Sequence, residues 1–328
     1  FALAYPALMA ELIIGRHARS NGVSALQSIS VGPKSRMFAT VVGGLGIVTV
    51  SFILSFYSIV SGWMLAFLLA PITQLLGWDS ATLWLTTDGV LRNSLFVVLF
   101  AFLTILIISA GVKDGIEKWA TRLMPSLVLI LVLLIGYVLT LPGAMDGLRA
   151  YLVPDFSALT QPGLLVSAMG QAFFSLSLGV GTMLVYGSYI SKDENLPVIG
   201  SLVALLDVGI AVLAGLLILP AMYVALASGV EIFDASGGLI AGPGLIISVL
   251  PSLFANMGAI GGAVAFAFFA LMTIASLTSS ISMLEVPVSF IVERRGVKRP
   301  MAAAILGSTI AAVSLIIVAN FGVLFDRV

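Results

Sequence analysis

Eight apolar segments divide this chain, and they constrain its fold more than any other feature. They run over approximately 1–14, 38–70, 92–110, 119–140, 164–188, 197–226, 257–291 and 300–320. A helix needs about 20 apolar residues, within a range of roughly 17–25, to cross the hydrocarbon core of a membrane. The 328 residues include 15 basic and 15 acidic ones, so 9% are charged against 60% hydrophobic. A soluble domain averages about 25% charge, and so few charges cannot clothe a water-facing surface. The same scarcity excludes a disordered chain and a nucleic-acid binder, which needs clustered basic charge. Without Cys there are no disulfides, thiolate metal sites or Cys nucleophiles, and one His cannot build a His-based metal cluster. What remains is an all-α, polytopic membrane protein, multi-pass in the cell (inner or plasma) membrane.

The basic residues set an orientation. If Arg16 and Arg19 are cytoplasmic and the segments alternate sides, the inner loops hold those two together with Lys34, Arg36, Lys113, Lys118, Arg122, Lys192, Arg294, Arg295, Lys298 and Arg299. The outer side holds Arg92, Arg149 and Arg327. Cytoplasmic loops carry the Lys and Arg excess, so this bias supports eight crossings. The long 38–70 and 257–291 runs predict helices that tilt or project beyond the bilayer. Residues 227–256 carry Glu231, Asp234, Gly237-Gly238 and Gly242-Pro243-Gly244, and read as a structured extracellular loop with short helices. The chain opens with Phe1 inside an apolar run, and reads as a single transmembrane domain, 1–328, truncated at both ends.

Three acids fall inside apolar segments: Glu11, Asp207 and Glu285. Charge at the bilayer centre costs roughly 2.5–3.5 kcal/mol on insertion scales and marks ion pathways. Asp207 lies several residues from either end of its run. It is a cation ligand or proton carrier, or else a buried acid paired with a neighbouring helix, and the first reading is favoured. Glu11 stands about one turn from Arg16 and reads as a structural or gating pair near the surface. Glu285 is open between function and structure. Tyr57 and Trp63 lie on a long helix, where aromatic residues commonly serve as packing or interface anchors.

Two further stretches break the apolar pattern. In Gly170 to Thr182, two serines precede Gly179 and Gly181 in the middle of a span. Each Gly costs about 1 kcal/mol relative to Ala in a helix interior. An unwound turn at membrane depth must line a cavity or be buried in protein, and such breaks form transporter binding sites. Close packing through small residues is the alternative. Ala275, Thr278 and Ser279 stand at i, i+3 and i+4 and share one helix face. Their oxygens can replace part of the water shell of a hard cation; alternatively, the hydroxyls bond back to their own helix.

Together these stretches resemble the neurotransmitter:sodium symporters, and most of all their bacterial amino-acid transporters. Pro6 to Arg16 resembles the second helix of that family. Gly170 to Gly181, with Tyr186-Gly187-Ser188-Tyr189, resembles its broken sixth helix. Gly242 to Leu245, running on to Leu250-Pro251, resembles its fourth outer loop, and Leu277 to Ile281 its eighth helix. The resemblance implies a LeuT-like bundle of two inverted five-helix repeats with sites at the midplane. This chain would supply helices two through nine.

The resemblance also implies roles. Ser175 and Asp207 match a first sodium site, and Ala275, Thr278 and Ser279 a second. Ile53, Tyr57, Phe174, Ser177, Val180, Ser279 and Met283 match substrate positions. Among these, Tyr57 bonds the substrate carboxylate and Phe174 forms a lid. Tyr189 and Glu293 match an inner gate whose arginine partner would precede this chain. Asp207 stands where many relatives have Asn, and Ala211 where chloride-dependent relatives have Ser, which implies chloride independence. Val180 is smaller than the usual residue and leaves room for a hydrophobic amino acid. The implied activity is sodium-coupled amino-acid symport by alternating access, with sodium as co-substrate and no other cofactor. A proton-coupled carrier and a non-transporting amino-acid sensor are the rivals. An enzyme is disfavoured because no nucleophile–base pair is visible and His17 sits in a basic, solvated turn.

Overall fold

A computed structural model describes residues 3–154, 156, 162–234, 237–242 and 244–320. Pro243 of the outer-loop motif and Arg327 of the basic residues lie outside the described residues. The described chain forms thirteen α-helices: α1 (Ala4–Ala18), α2 (Gly22–Ser28), α3 (Pro33–Leu75), α4 (Asp79–Thr86), α5 (Val90–Ser109), α6 (Lys118–Val138), α7 (Ala144–Leu152), α8 (Pro162–Ser175), α9 (Thr182–Tyr189), α10 (Leu196–Ala227), α11 (Leu250–Asn256), α12 (Gly261–Arg295) and α13 (Arg299–Ala319). Six are long and apolar enough to span a membrane: α3, α5, α6 with the π-helical turn before it, α10, α12 and α13. The eight apolar segments of the sequence are these six, the 15-residue α1, and the interrupted pair α8 and α9.

The 38–70 run becomes a helix longer than itself, and the 257–291 run a helix of its own length. The 43 residues of α3 span about 65 Å at 1.5 Å per residue, about twice the hydrocarbon thickness of roughly 30 Å. It starts at Pro33, whose fixed φ and missing N–H suit a first turn. The 35 residues of α12 end where Gly296 takes φ 62° and its amide closes onto the Val292 carbonyl at 3.0 Å. Arg294 and Arg295 lie in that last turn, where cations meet the negative end of the helix dipole.

The α12 helix packs most extensively along α3, and together they form the spine of the bundle. Toward the 228–260 end, Ile59, Trp63 and Phe67 of α3 meet Leu127 and Leu131 of α6 and Phe268 and Phe269 of α12. Toward the basic end, Leu54 meets Ile107 and Ile108 of α5, Leu284 and Val288 of α12, and Ala302 and Ala303 of α13. The segment after α10 folds back as an antiparallel bridge between Phe233 and Leu239, a π-helix over Leu245–Val249, and α11. Its Ile232, Leu250 and Leu253 are buried in the first of these cores.

Lipid tails are as apolar as Leu, so helix association in a membrane depends on close packing. The contact of α1 with α9 illustrates it. A Cβ on Gly15 would sit 2.1 Å from the Leu184 carbonyl oxygen. Only Gly lets the two backbones touch, and that contact brings α1 alongside the helix break.

Candidate functional site around the broken helix

The helix that begins at Pro162 stops at Ser175 and resumes at Thr182. Between them Ser177, Gly179 and Gly181 take φ of 53°, 82° and 88°. Gly enters this left-handed region without steric penalty, which is why the break falls at these glycines. Ser177 is the exception, at an expense of roughly 1–2 kcal/mol. The turn reuses what backbone bonds it can: the Ser177 amide donates to the Phe174 carbonyl at 3.0 Å, and Leu178 to Phe173 at 2.9 Å. The Gly179 amide instead donates to Glu11 Oε1 at 2.7 Å.

This overturns the expected pairing of Glu11 with Arg16. Arg16 Nη1 donates to the Glu194 carbonyl at 2.8 Å, and no ion pair joins it to Glu11 among the described residues. Five residues along a helix are roughly 140° around it, so the two side chains leave α1 in different directions. Glu11 serves the break.

A cavity of about 1030 Å³ opens beside the break. Several helices supply its walls. From α3 come Ile53 and Tyr57; from α8 and the break come Phe174, Ser175, Ser177 and Val180; from α10 comes Asp207; from α12 come Ala275, Thr278, Ser279 and Met283. All eleven residues that the resemblance assigned to substrate and sodium therefore face one space. Ser175 Oγ donates to Asp207 Oδ1 at 2.6 Å. Asp207 thus has a neighbouring-helix partner, and an ionised carboxylate keeps further lone pairs for a cation. Tyr57 lies within hydrogen-bonding reach of Ser279.

Thr278 Oγ1 donates to the Ala275 carbonyl at 2.9 Å and stands 3.2 Å from the Ile274 carbonyl. The back-bonding alternative read from the sequence is thereby present, and its acceptor, the Ala275 carbonyl, is one of the oxygens that the resemblance gave to the cation. Back-bonding uses the hydroxyl hydrogen, and the oxygen lone pairs stay outward. Gln171, Tyr186 and Ser282 also line the cavity, and Tyr186 Oη and Ser282 Oγ are 2.9 Å apart. The sequence reading gave these three no role; the signal was their polarity within apolar segments.

Tyr189 and Glu293, the two inner-gate positions, are not among the residues that line the cavity, and each has a different partner. Tyr189 Oη donates to Glu285, which is completely buried on α12 and ion-paired with Arg299. Arg299 Nε donates in turn to the Ile108 carbonyl at 3.1 Å. Glu285, open on sequence grounds, is therefore a paired acid that ties α9, α12, α13 and α5 together. Glu293 Oε2 accepts from the Asn21 amide at 2.6 Å and from Asn21 Nδ2 at 2.8 Å. Asn21 also caps α2, its Oδ1 accepting from the Ser24 amide at 3.1 Å.

Asn21 escaped the sequence reading, although Asn is among the preferred residues at a helix start. Replacing it with Ala should destabilise the protein by about 2 kcal/mol, from a lost cap and a lost bond to a charged acceptor. Asn21→Ser keeps the cap and should lose less. Denaturation of both variants measures the difference; equal losses would show that the cap contributes nothing, and no loss in Asn21→Ser that the Glu293 bond contributes nothing.

Comparison with known proteins bears on the family. The profile of the "Sodium:neurotransmitter symporter family" matches residues 84–327. A protein of Bacillus subtilis (strain 168), "Uncharacterized sodium-dependent transporter YhdH", is 34% identical over 99% of this chain and 69% of its own length. An "Uncharacterized sodium-dependent transporter" of Haemophilus influenzae is 32% identical over 88% of this chain and 63% of its own. The crystal structure of MhsT in complex with L-phenylalanine superposes with a TM-score of 0.80 at 37% identity, covering 98% of this chain and 70% of that one. A chain with this fold, an integral multi-pass arrangement and these relatives belongs to the sodium:neurotransmitter symporter family, whose members are membrane transporters and not enzymes.

Proposed function

We propose that the full-length protein couples sodium entry to the uptake of hydrophobic amino acids, without chloride, by alternating access. The observation that carries this reading is the Ser175–Asp207 contact at the helix break, 2.6 Å long and facing the same cavity as Ala275, Thr278 and Ser279. It puts an anionic oxygen and a hydroxyl on one side, and a second set of hydroxyl and carbonyl oxygens on another. Hard cations take oxygen ligands of this kind. Ser175 and Asp207 are read as ligands of one sodium, and Ala275, Thr278 and Ser279 as ligands of another.

Tyr57 is read as the donor to the substrate carboxylate and Phe174 as the lid. Phe174 is 63% exposed and lines the cavity, which leaves its ring room to close. Ile53, Val180 and Met283 give an apolar wall, with Ser177 beside it, and this suits a hydrophobic side chain. MhsT holds L-phenylalanine, which supports the same class here. Tyr189 and Glu293 are read as parts of the inner closure, each now with its own partner. Sodium and substrate that stabilise one state must raise each other's affinity.

Uptake of labelled phenylalanine into vesicles carrying the full-length protein tests this. A sodium gradient should drive it, and replacing chloride with gluconate should leave it unchanged. Uptake driven by a proton gradient without sodium would favour the proton-coupled rival. Binding without uptake would favour the sensor. Competition won by glycine or glutamate would overturn the substrate class.

A further inference from the structure

We propose that a pocket at the basic end of the bundle, between the last turn of α1 and the loop after α9, binds a phosphate group. Its volume is about 280 Å³, and Ile13, Arg16, His17 and Lys192 line it. Ile13, Arg16 and His17 stand at i, i+3 and i+4, so one face of α1 presents all three. Lys192 arrives from a part of the chain 175 residues beyond His17. Folding, not local sequence, gathers these groups around one space.

The electrostatics favour an anion. Arg16 is held by its bond to the Glu194 carbonyl at 2.8 Å, which orients the guanidinium while its other N–H donors stay unspent. Asp193 and Glu194 follow Lys192 in the chain. No carboxylate is ion-paired with Arg16, His17 or Lys192 among the described residues. The carbonyl end of α1 favours the Arg16 and Lys192 cations but repels an anion, so the side chains must carry the binding. Oxyanions of phosphate take such donors well.

Two sources share this chemistry: the headgroup of an anionic phospholipid and free inorganic phosphate. Position favours the lipid. The pocket lies at the Lys- and Arg-rich end, which is the cytoplasmic side by the positive-inside rule. Ile13, 52% exposed, continues the apolar face of α1 above the cations. An acyl chain can follow Ile13 while the phosphodiester meets Arg16, His17 and Lys192. This inference does not depend on which solute the central cavity carries.

Native mass spectrometry of the full-length protein in mild detergent tests it, with phosphatidylglycerol, phosphatidylcholine and inorganic phosphate as probes. Phosphatidylglycerol should be retained over phosphatidylcholine. Lys192→Gln, an exposed substitution, should lower that retention about fivefold, the worth of one cation near a lipid surface. His17→Gln should lower it less. Lys34→Gln, an exposed control on α3, should leave it unchanged. Retention that survives excess inorganic phosphate assigns the lipid; phosphate binding that Lys192→Gln abolishes assigns the free ion; either result supports the site. Equal retention of both lipids with no phosphate binding would overturn it. So would a loss in Lys34→Gln equal to that in Lys192→Gln, because the effect would then be diffuse charge.

Discussion

Replacing Asp207 with Ala should weaken sodium binding by the full-length protein by roughly 30- to 150-fold, and uptake at limiting sodium should fall with it. The magnitude follows from where the charge sits. Asp207 lies in the middle of α10, among Leu205, Leu206 and Val208, where an acid costs roughly 2.5–3.5 kcal/mol to insert. In the proposed reading, a sodium ion beside it offsets that cost. Two unit charges 4 Å apart attract by about 4 kcal/mol at an effective dielectric of 20. Asp207 is half-buried, so about 2–3 kcal/mol of this survives solvent screening. Asp207→Asn keeps the shape and one carbonyl oxygen but loses the charge, and should lose nearly as much. Ala211 lines the same cavity one helical turn later. Adding Ala211→Ser to Asp207→Asn supplies a hydroxyl there and should restore part of the uptake, now stimulated by chloride. Sodium titrations of uptake in proteoliposomes read all three variants. An unchanged sodium half-saturation in Asp207→Ala would end the assignment of Asp207 to sodium.

The break in the helix was legible because its cause is local. Gly179 and Gly181 are poor helix formers within a span that otherwise favours helix, and they are two of the three residues at positive φ in the break. The Ala275, Thr278 and Ser279 face was legible for the same reason, since a spacing of three and four residues fixes direction on a helix. Where the relevant partner is distant, local reading fails. Glu11 was read with Arg16, five residues on, but its partner Gly179 lies 168 residues away. Glu285 gave no sign of its partners, because Tyr189 precedes it by 96 residues and Arg299 stands on the next helix. Arg299 itself was counted among loop charges, and Arg92, counted as an outer charge, is buried with its guanidinium bonded to Asn93 at 2.7 Å. Hydropathy and charge tallies find spans and sides; they do not tell a charge that faces water from one that a neighbouring helix has already claimed.

Glu285 is where that distinction should have its largest effect on stability. Glu285→Met should destabilise the full-length protein by about 3 kcal/mol. Its carboxylate is fully buried and takes both the Arg299 ion pair and the Tyr189 hydroxyl. Removing one partner of a buried pair typically costs about 3–5 kcal/mol, because the other charge is left uncompensated. The Arg299 side chain is 20% exposed, so it can turn partly toward water, which places the expected loss at the lower end of that range. Arg299→Met strands the more deeply buried group. Glu285 has no exposed surface through which to hydrate, and Tyr189 alone cannot neutralise it. That variant should lose at least as much. The double substitution removes both charges and replaces them with flexible apolar side chains. Paired replacement of this kind is often neutral, so the double variant should be more stable than either single one. Denaturation of the three variants in detergent forms a complete cycle. If the two single losses simply add in the double variant, the pair is not coupled, and the link from α12 to α9, α13 and α5 contributes nothing through charge.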